Sequence, residues 1–305
     1  MIAFSEVRGL LLEARKVIFH KNSHLDDAAA QWFLRDVVKI SAEFVFQKND
    51  EIMIDPQAGE IGLDVMHEFA LKGYKNEDGG YSSVFRCLVE AFFPDIHSIE
   101  RRALVPILEW VDTNDSRGSV TKAWLGVEDR RIESVGLNVL FMAYKHQHSD
   151  SGDLTINLNF GQSVLEPLYR YHHHFEMEVD RALSTCKLEL DGILGICEGV
   201  LSPALIGWPQ RHLVEMAQKN NQKTPLIFVF CDESVGMGMV RICDSVRLDN
   251  DLLKSRLTKV SQHWFFHPGG FLSACGTSTA PKDIKQAGVT LPELKEILKE
   301  IYAPI

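Results

Sequence analysis

The order of apolar runs in the first sixty residues constrains the fold most. KVIFH at 16–20 is typical of a buried strand, and the alanine-rich stretch DDAAAQWFLRDVV at 26–38 has the spacing of an amphipathic helix. AEFVFQ at 42–47 and EIMID at 51–55 predict two further buried strands. The order strand, helix, strand, strand predicts a parallel α/β sheet. Ligands of such a sheet gather at the carboxyl ends of its strands.

The rest of the chain predicts more helices and then a second domain. Helical spacing covers 81–93 (with Ser82 or Ser83 as cap), 99–112, 133–146 and 161–183, and DTNDSRG after residue 111 reads as a polar turn. After residue 186 we expect a strand at 187–199, a hairpin built from LIFVFCD and MGMVRICD, and a last helix at 291–302. We therefore predict an N-terminal domain at 1–160, a connecting helix at 161–186 and a smaller mixed α/β domain at 187–305.

Composition narrows the class of protein. The 305 residues carry a net charge of −10, which argues against binding to duplex DNA. No apolar run reaches the length of about 18 residues that a membrane-spanning helix needs, and the N-terminus lacks the pattern of a secretory signal. We expect a soluble, cytoplasmic protein that does not bind membranes. The six cysteines are scattered, which favours buried reduced thiols over disulfides or a zinc site.

HKNSHLDD at 20–27 is the first candidate site. It places His20, His24, Asp26 and Asp27 within eight residues, directly after a predicted strand. Imidazole and carboxylate groups together suit manganese, zinc or iron. The alternative is that Asp26 or Asp27 only caps the following helix and that both histidines lie on the surface.

Further ligand-type residues follow at intervals that a parallel sheet can bring together. Asp55 ends the apolar run EIMID, and Asp112 and Asp115 lie at the end of a predicted helix. His67 and Glu68 lie between Asp55 and the helix predicted at 81–93. Two divalent ions bridged by one carboxylate would polarise a phosphate and activate a water molecule.

In this order, the motifs resemble those of the DHH phosphoesterase superfamily. The nearest likeness is to its Myg-type branch (melanocyte proliferating gene one product), metal-dependent hydrolases described as 3′–5′ RNA exonucleases. HKNSHLDD is similar to the first motif of that branch, with one residue fewer and Asp27 in place of Glu. The other similar motifs are AGE at 58–60, Ser82-Ser83, EWVDTNDSRG at 109–118, GWPQRH at 207–212 and FFHPGGF at 265–271.

The resemblance implies an active site in the cleft between the two domains, with manganese as the expected ion. One ion would be held by His20, His24 and Asp55, and a second by Asp26, Asp55 and Asp112. The catalytic residues would be His20, His67 and Asp112. Substrate phosphate would meet His267, Gly269 and Gly270, because adjacent glycines let backbone N–H groups approach an anion. The alternative for HPGGF is a plain glycine turn.

One motif departs from the superfamily. Met66-His67-Glu68 stands where the Asp-His-His triplet is expected. The resemblance implies a phosphodiesterase acting on a small nucleotide or a short single-stranded oligonucleotide. Two alternatives stay open: a catalytically impaired nucleotide-binding or regulatory relative, and a pyrophosphate-type phosphohydrolase. The oligomeric state is also open, with a homodimer considered.

Overall fold

The computed structural model describes residues 6–74, 81–185, 187–189, 194–198, 227–232, 237–242, 249–257, 263–270, 272–275 and 289–302. The chain divides into two compact units, Met1–His174 and Phe175–Ile305. Among the described residues, no helix has the length and apolar character needed to cross a membrane. The predicted bounds at 160 and 186 stay predictions, as does a cleft between the domains.

The first unit alternates strands and helices. Its strands are β1 (Lys16–His20), β2 (Glu43–Gln47), β3 (Glu60–Leu63) and β4 (Ala70–Leu71). Its helices are α1 (Val7–Glu13), α2 (Leu25–Trp32), α3 (Val84–Phe92), α4 (Ile99–Arg117), α5 (Val120–Leu125), α6 (Arg130–Glu133), α7 (Leu137–Gln147) and α8 (Asp153–Phe160). A helix α9 (Glu166–Thr185) follows, and π-helical turns extend α2 over Phe33–Val37 and precede α9 over Gly161–Leu165.

The four strands form one parallel sheet in the order β2-β1-β3-β4. The register pairs Lys16 with Glu43 and with Glu60, so β1 lies between β2 and β3 and all three run in the same direction. This confirms the predicted α/β class with a parallel sheet, and it confirms the strands predicted near 16–20 and 42–47.

The predicted strand EIMID at 51–55 is wrong, and the strand lies later, at β3. Ile52 and Ile54 turn inward while Met53 is 80% exposed. This alternation imitates a strand, but the segment only packs its isoleucines on the sheet face that contains Ile18. Pro56 then begins a short 3-10 turn with Asp55 as its cap, and β3 starts at Glu60.

The parallel sheet is buried on both faces, and helix α2 packs within the core. Val17 and Phe19 point to the large core cluster, whereas Ile18 points to the smaller cluster on the opposite face, as expected for the period of two along a strand. Every residue of α2 from Leu25 to Trp32 is buried. The helix predicted from residue 26 is therefore present, but α2 has no solvent-facing side, and only the π-helical end beyond Leu34 is partly exposed.

The other predicted helices are present with shifted ends. Ser83 caps α3, because its Oγ accepts a hydrogen bond from Arg86 N–H. Helix α4 runs through residues 112–117, so the polar turn predicted there is helical. Asp112 and Asp115, three residues apart, consequently lie on neighbouring positions of one helical face.

The second unit is a mixed α/β unit, as predicted. Its described strands are β5 (Lys187–Glu189), β6 (Leu194–Glu198), β7 (Ile227–Asp232), β8 (Met237–Ile242), β9 (Phe265–Phe266) and β10 (Leu272–Cys275), in the order β5-β6-β7-β8-β10-β9. Its described helices after α9 are α10 (Asn250–Arg256) and α11 (Leu291–Tyr302). The β7–β8 pair is antiparallel, as predicted, and the range 187–199 holds two antiparallel strands rather than one.

Candidate metal site at the strand ends

The carboxyl ends of β1 and β3 bring a histidine and an aspartate side by side. His20 is the last residue of β1, and Asp64 directly follows β3. Their side chains meet with His20 Nε2 at 3.8 Å from Asp64 Oδ2. This is the edge at which a parallel sheet collects its ligands.

The backbone fixes which nitrogen of His20 is available. Nδ1 lies 2.7 Å from the carbonyl oxygen of Lys21, and a carbonyl only accepts, so Nδ1 carries a proton. Nε2 then faces the carboxylates of Asp64 and Asp27, the latter at 3.4 Å. A backbone carbonyl that orients an imidazole through its other nitrogen is a common feature of metal-binding histidines.

His24 and Asp27 form a capping box at the start of α2. The His24 side chain accepts from Asp27 N–H, and Asp27 Oδ2 accepts from His24 N–H at 2.7 Å. The capping alternative is thus partly right, because Asp27 does cap α2 with one of its oxygens.

The second oxygen of Asp27 has no such role. Oδ1 is buried and, among the described residues, has no hydrogen-bond partner. Burying a carboxylate oxygen without a partner costs free energy, and a bound cation would offset that cost. Ligand atoms of His20, His24 and Asp27 all lie within 4.8 Å of one another, which is close enough to share one ion.

Asp64 is the residue that sequence reasoning missed. Its backbone is in the left-handed region at φ 50°, which is unusual for a residue other than glycine, asparagine or aspartate. The signal was present in EIGLD at 60–64, an apolar run that ends in an aspartate. The pattern EIMID at 51–55 predicts a strand that ends in an aspartate, whereas the structure has this arrangement at β3 and Asp64.

The charges around this cluster repel one another. Burial raises the pKa of Asp27 to about 7 and that of Asp115 to about 6, with Asp64 adding repulsion to both. The Asp64 carboxylate raises the pKa of His20 to about 9, and burial lowers the pKa of His24. Without a metal ion, the protonated His20 ring offsets part of this negative charge. A divalent cation would displace that proton and neutralise more of it.

Asp26 and Asp112 lie nearby but are engaged elsewhere. Both Asp26 oxygens accept from the start of α3, from Val84 N–H and Phe85 N–H, each at 2.9 Å. Asp112 Oδ1 accepts from Ser83 N–H at 2.7 Å, and its Oδ2 lies 2.8 Å from Arg86 Nε. Burial raises the pKa of Asp26. Both carboxylates hold the amino end of α3, so the predicted second ligand set is not assembled around a common ion.

Asp55 and His67 are not brought into the group that could share an ion. Asp55 caps the 3-10 turn through Gln57 N–H, and its own N–H donates to Glu60 at the amino end of β3. That end lies about 13 Å from His20, at about 3.3 Å per residue along β1. His67 lies in the turn before β4, where its Nδ1 accepts from Phe69 N–H at 3.2 Å.

The segment HPGG lies in the second unit as the turn between β9 and β10. Gly269 N–H donates to His267 Nδ1 and Gly270 N–H donates to the His267 carbonyl. Gly270 adopts φ 66°, which glycine tolerates best. These contacts match the glycine-turn alternative, and phosphate binding by this turn stays a prediction. Phe271 and the motif GWPQRH lie outside the described residues.

The loop between His20 and His24 is fastened from a distant part of the chain. Asp153, the first residue of α8, accepts from Asn22 N–H at 3.0 Å and from Ser23 Oγ at 3.1 Å. Ser23 Oγ also lies 2.9 Å from Asn157 Oδ1, and Lys145 Nζ donates to the Ser23 carbonyl at 3.0 Å. Asn22 is held in the left-handed region at φ 64°. These bonds position the loop that carries both histidines.

Comparisons with known proteins give no family. No protein-family model matches the sequence, and no curated protein matches it.

The similar solved structures include the following three. The match to RecJ from Thermus thermophilus in complex with Mg²⁺ has 11% identity and a TM-score of 0.30, and covers 99% of this chain and 52% of RecJ. This chain therefore spans about half the length of RecJ. The match to PggH, a pGpG-specific phosphodiesterase from Vibrio cholerae, has 10% identity and a TM-score of 0.28, and covers 95% and 97% of the two chains. An exopolyphosphatase-related protein from Bacteroides fragilis matches at 11% identity and a TM-score of 0.26, over 99% and 96%. At these identities and TM-scores, the three similarities do not establish a function for this chain.

Proposed function

We propose that this chain is a metal-dependent phosphoesterase that hydrolyses a small nucleotide or a short single-stranded oligonucleotide. One observation carries the proposal. The side chains of His20, His24 and Asp27 converge at the carboxyl ends of parallel strands, with Asp64 beside them, and one oxygen of Asp27 is buried without a partner among the described residues.

The donors present fit a divalent transition metal. His20, His24 and Asp27 combine imidazole and carboxylate ligands, which suit manganese, zinc and iron. Asp64 would add a fourth ligand, since its carboxylate already contacts the free nitrogen of His20. We propose manganese as the native ion and one ion rather than two as the tightly held complement.

A bound divalent ion would supply an activated water and would offset charge on the phosphoryl oxygens. The chain's own residues set up that chemistry. The Lys21 carbonyl orients His20, and the capping bond from His24 N–H fixes Asp27 at the start of a fully buried helix. Because neither group needs to reorganise during the reaction, the site is preorganised for charge that develops on a phosphate.

The second candidate is a nucleotide-binding protein without hydrolytic activity. A specific observation favours it: the residues predicted for a second ion are engaged elsewhere. Asp26 and Asp112 hold the start of α3, and Asp55 lies at the opposite end of the strands. A single ion suffices for many hydrolases, so this arrangement limits the mechanism without abolishing it.

The deciding experiment measures metal content and turnover on the purified full chain. We expect one manganese ion per chain and manganese-dependent cleavage of a 5′-phosphorylated dinucleotide or a short RNA, abolished by EDTA. A panel that includes pyrophosphate separates the phosphodiesterase from a pyrophosphate-type enzyme. Nucleotide and metal binding without cleavage would establish the second candidate. A chain that binds no divalent metal ion would refute the metal-dependent phosphoesterase, whether it acts on a phosphodiester or on pyrophosphate.

A further inference from the structure

The outer edge of the sheet borders a cavity. β2 is an end strand of the sheet, and a cavity of about 880 Å³ is lined by four consecutive residues, Glu43, Phe44, Val45 and Phe46. Successive side chains of a strand point to opposite faces. Four residues in a row can therefore line one cavity only if it runs along the edge of the strand.

The backbone of that edge has unused hydrogen-bonding groups. Glu43 N–H donates to the Arg15 carbonyl at 2.9 Å, and Lys21 N–H donates to the Gln47 carbonyl at 2.7 Å. These bonds place the odd-numbered residues of β2 in the ladder with β1. The alternation of a parallel ladder then directs the N–H and C=O groups of Phe44 and Phe46 outward. Within the described ranges, no strand pairs with this edge.

The sequence and register of β2 lack the local features that usually block pairing. Exposed edges are commonly protected by lysine, proline, a bulge or a very short strand. The sequence EFVFQ of β2 contains neither lysine nor proline, and its register with β1 is unbroken over five residues. The opposite edge strand, β4, has only two residues. β2 is therefore the edge that offers a template of useful length.

The cavity along β2, here called the groove, has an apolar opposite wall and charged groups at its two ends. Met142, Leu154 and Ile156 add apolar surface from α7 and α8. Lys21, and the pair Lys145 and Asp153, line the cavity near the carboxyl end of β2, so that end carries one more positive than negative group, and Glu43 lines it near the amino end. These ends are about 13 Å apart at about 3.3 Å per residue. Across the described part of the chain, no carboxylate forms an ion pair with Lys21.

We propose that this groove binds an extended peptide segment of a partner protein, added as a fifth strand beside β2. The outward N–H and C=O groups of Phe44 and Phe46 supply main-chain hydrogen bonds. The apolar wall takes alternate side chains, and Lys21 selects an acidic residue at one end. When a peptide adds to a sheet as a strand, main-chain hydrogen bonds usually supply the affinity and side-chain pockets supply the selectivity. The proposal does not rest on the proposed function, and Lys21 takes part in the metal site only through its backbone carbonyl.

The first test needs no ligand. Hydrogen exchange measured by NMR on the free full-length chain reports each amide of β2. We expect the amides of Phe44 and Phe46 to exchange at least about 100-fold faster than those of Val45 and Gln47, which donate to β1. Equal protection of all four amides would show that the edge is already covered in the free chain, and the proposal would be overturned.

The second test uses a random heptapeptide library displayed on phage and selected against the purified chain. We expect enriched peptides that carry Asp or Glu near one end and that slow exchange at Phe44 and Phe46. N-methylation of the peptide amides that face β2 is expected to weaken binding at least about tenfold, the cost of losing one or two hydrogen bonds. Because this change is made in the peptide, folding of the protein is unaffected.

A charge reversal tests the direction of the groove. Lys21→Glu is expected to weaken binding of the selected peptides at least about fivefold, which corresponds to about 1 kcal/mol. Lys122→Glu, the same change on an exposed lysine of α5, is the matched control and is expected to leave binding unchanged. No enrichment, or enriched peptides that leave exchange at Phe44 and Phe46 unchanged, would overturn the proposal.

Discussion

Asp26 and Asp27 are neighbours in sequence and both are buried, yet they belong to two different regions. Asp26 faces the amino end of α3, where each of its oxygens accepts a backbone N–H. Asp27 faces the strand ends, where one oxygen caps α2 and the other has no partner in the described structure. Burial alone therefore does not identify a metal ligand. The carboxylate with an unmet bond is the better candidate.

The same contrast separates the two regions as wholes. At α3, the negative charge of Asp112 is balanced by Arg86, and the serine cap completes the set of acceptors. At the strand ends, Asp64 and Asp115 add repulsion to the Asp27 carboxylate, and the His20 ring offsets part of it. The carboxylate oxygens of Asp26 and Asp112 thus all have a partner at α3, whereas Asp27 Oδ1 has none among the described residues.

The largest expected effect comes from Asp27→Asn. An asparagine oxygen can still accept from His24 N–H, so α2 keeps its cap, while the charged ligand is lost. We expect manganese affinity to fall more than about 100-fold, beyond the loss typical of removing a residue that only orients a ligand. Isothermal titration calorimetry measures it. An unchanged affinity would remove Asp27 from the site.

The same variant gives a pH-dependent result in EDTA. Burial raises the pKa of Asp27 from its ordinary value of 3.8 to about 7, so folding favours the protonated acid. Wild-type stability relative to Asp27→Asn is then expected to decline between these two pH values and to stay low above pH 7. Urea unfolding at pH 5 and pH 8 compares the two proteins. A larger wild-type advantage at pH 8 would contradict this.

Asp26→Ala is expected to act on stability instead. It leaves Val84 N–H and Phe85 N–H without acceptors, which should lower the free energy of unfolding by about 2 to 4 kcal/mol. Urea unfolding in EDTA measures the loss, with Asp27→Asn as the comparison in the same assay. If Asp26→Ala abolished metal binding and left stability unchanged, the assignment of the two aspartates would have to be exchanged.

Asp153→Ala tests whether the distant fastening matters to the metal loop. It removes the acceptor of Asn22 N–H and of Ser23 Oγ without touching a metal ligand. We expect manganese affinity to fall about tenfold, in the range for residues that orient ligands. Asp150→Ala, an exposed residue just before the same helix, is the matched control. Equal affinities of the two variants would show that the loop holds its shape unaided.

The smallest effect concerns Cys87, which lies in α3 and is 1% exposed. Burial raises its pKa to about 11, so almost none of it is thiolate at pH 8. Alkylation by iodoacetamide at pH 8 is expected to be at least about 100-fold slower than in the urea-unfolded chain. Peptide mapping by mass spectrometry measures the rate. Rapid alkylation of the folded protein would show that the α3 region opens.

Sequence patterns predicted the fold better than the site. KVIFH and AEFVFQ form strands, as their short runs of β-branched and aromatic residues predicted. EIMID has the same pattern but packs its isoleucines without joining the ladder, a difference set by backbone pairing far along the chain. Asp112 looked like a ligand at a helix end, and only the fold shows it bound to Ser83 N–H. Partners that lie distant in sequence decide such roles.

The complete burial of α2 also bears on how fast an ion would come and go. Leu25 to Trp32 are packed on every side, which leaves the helix no room to tilt or slide when a ligand arrives. Binding would then be limited to rotation of a few side chains on an immobile backbone. The rate of metal capture would be governed by how readily the ion sheds its water, and manganese would load faster than the more reluctantly dehydrated magnesium.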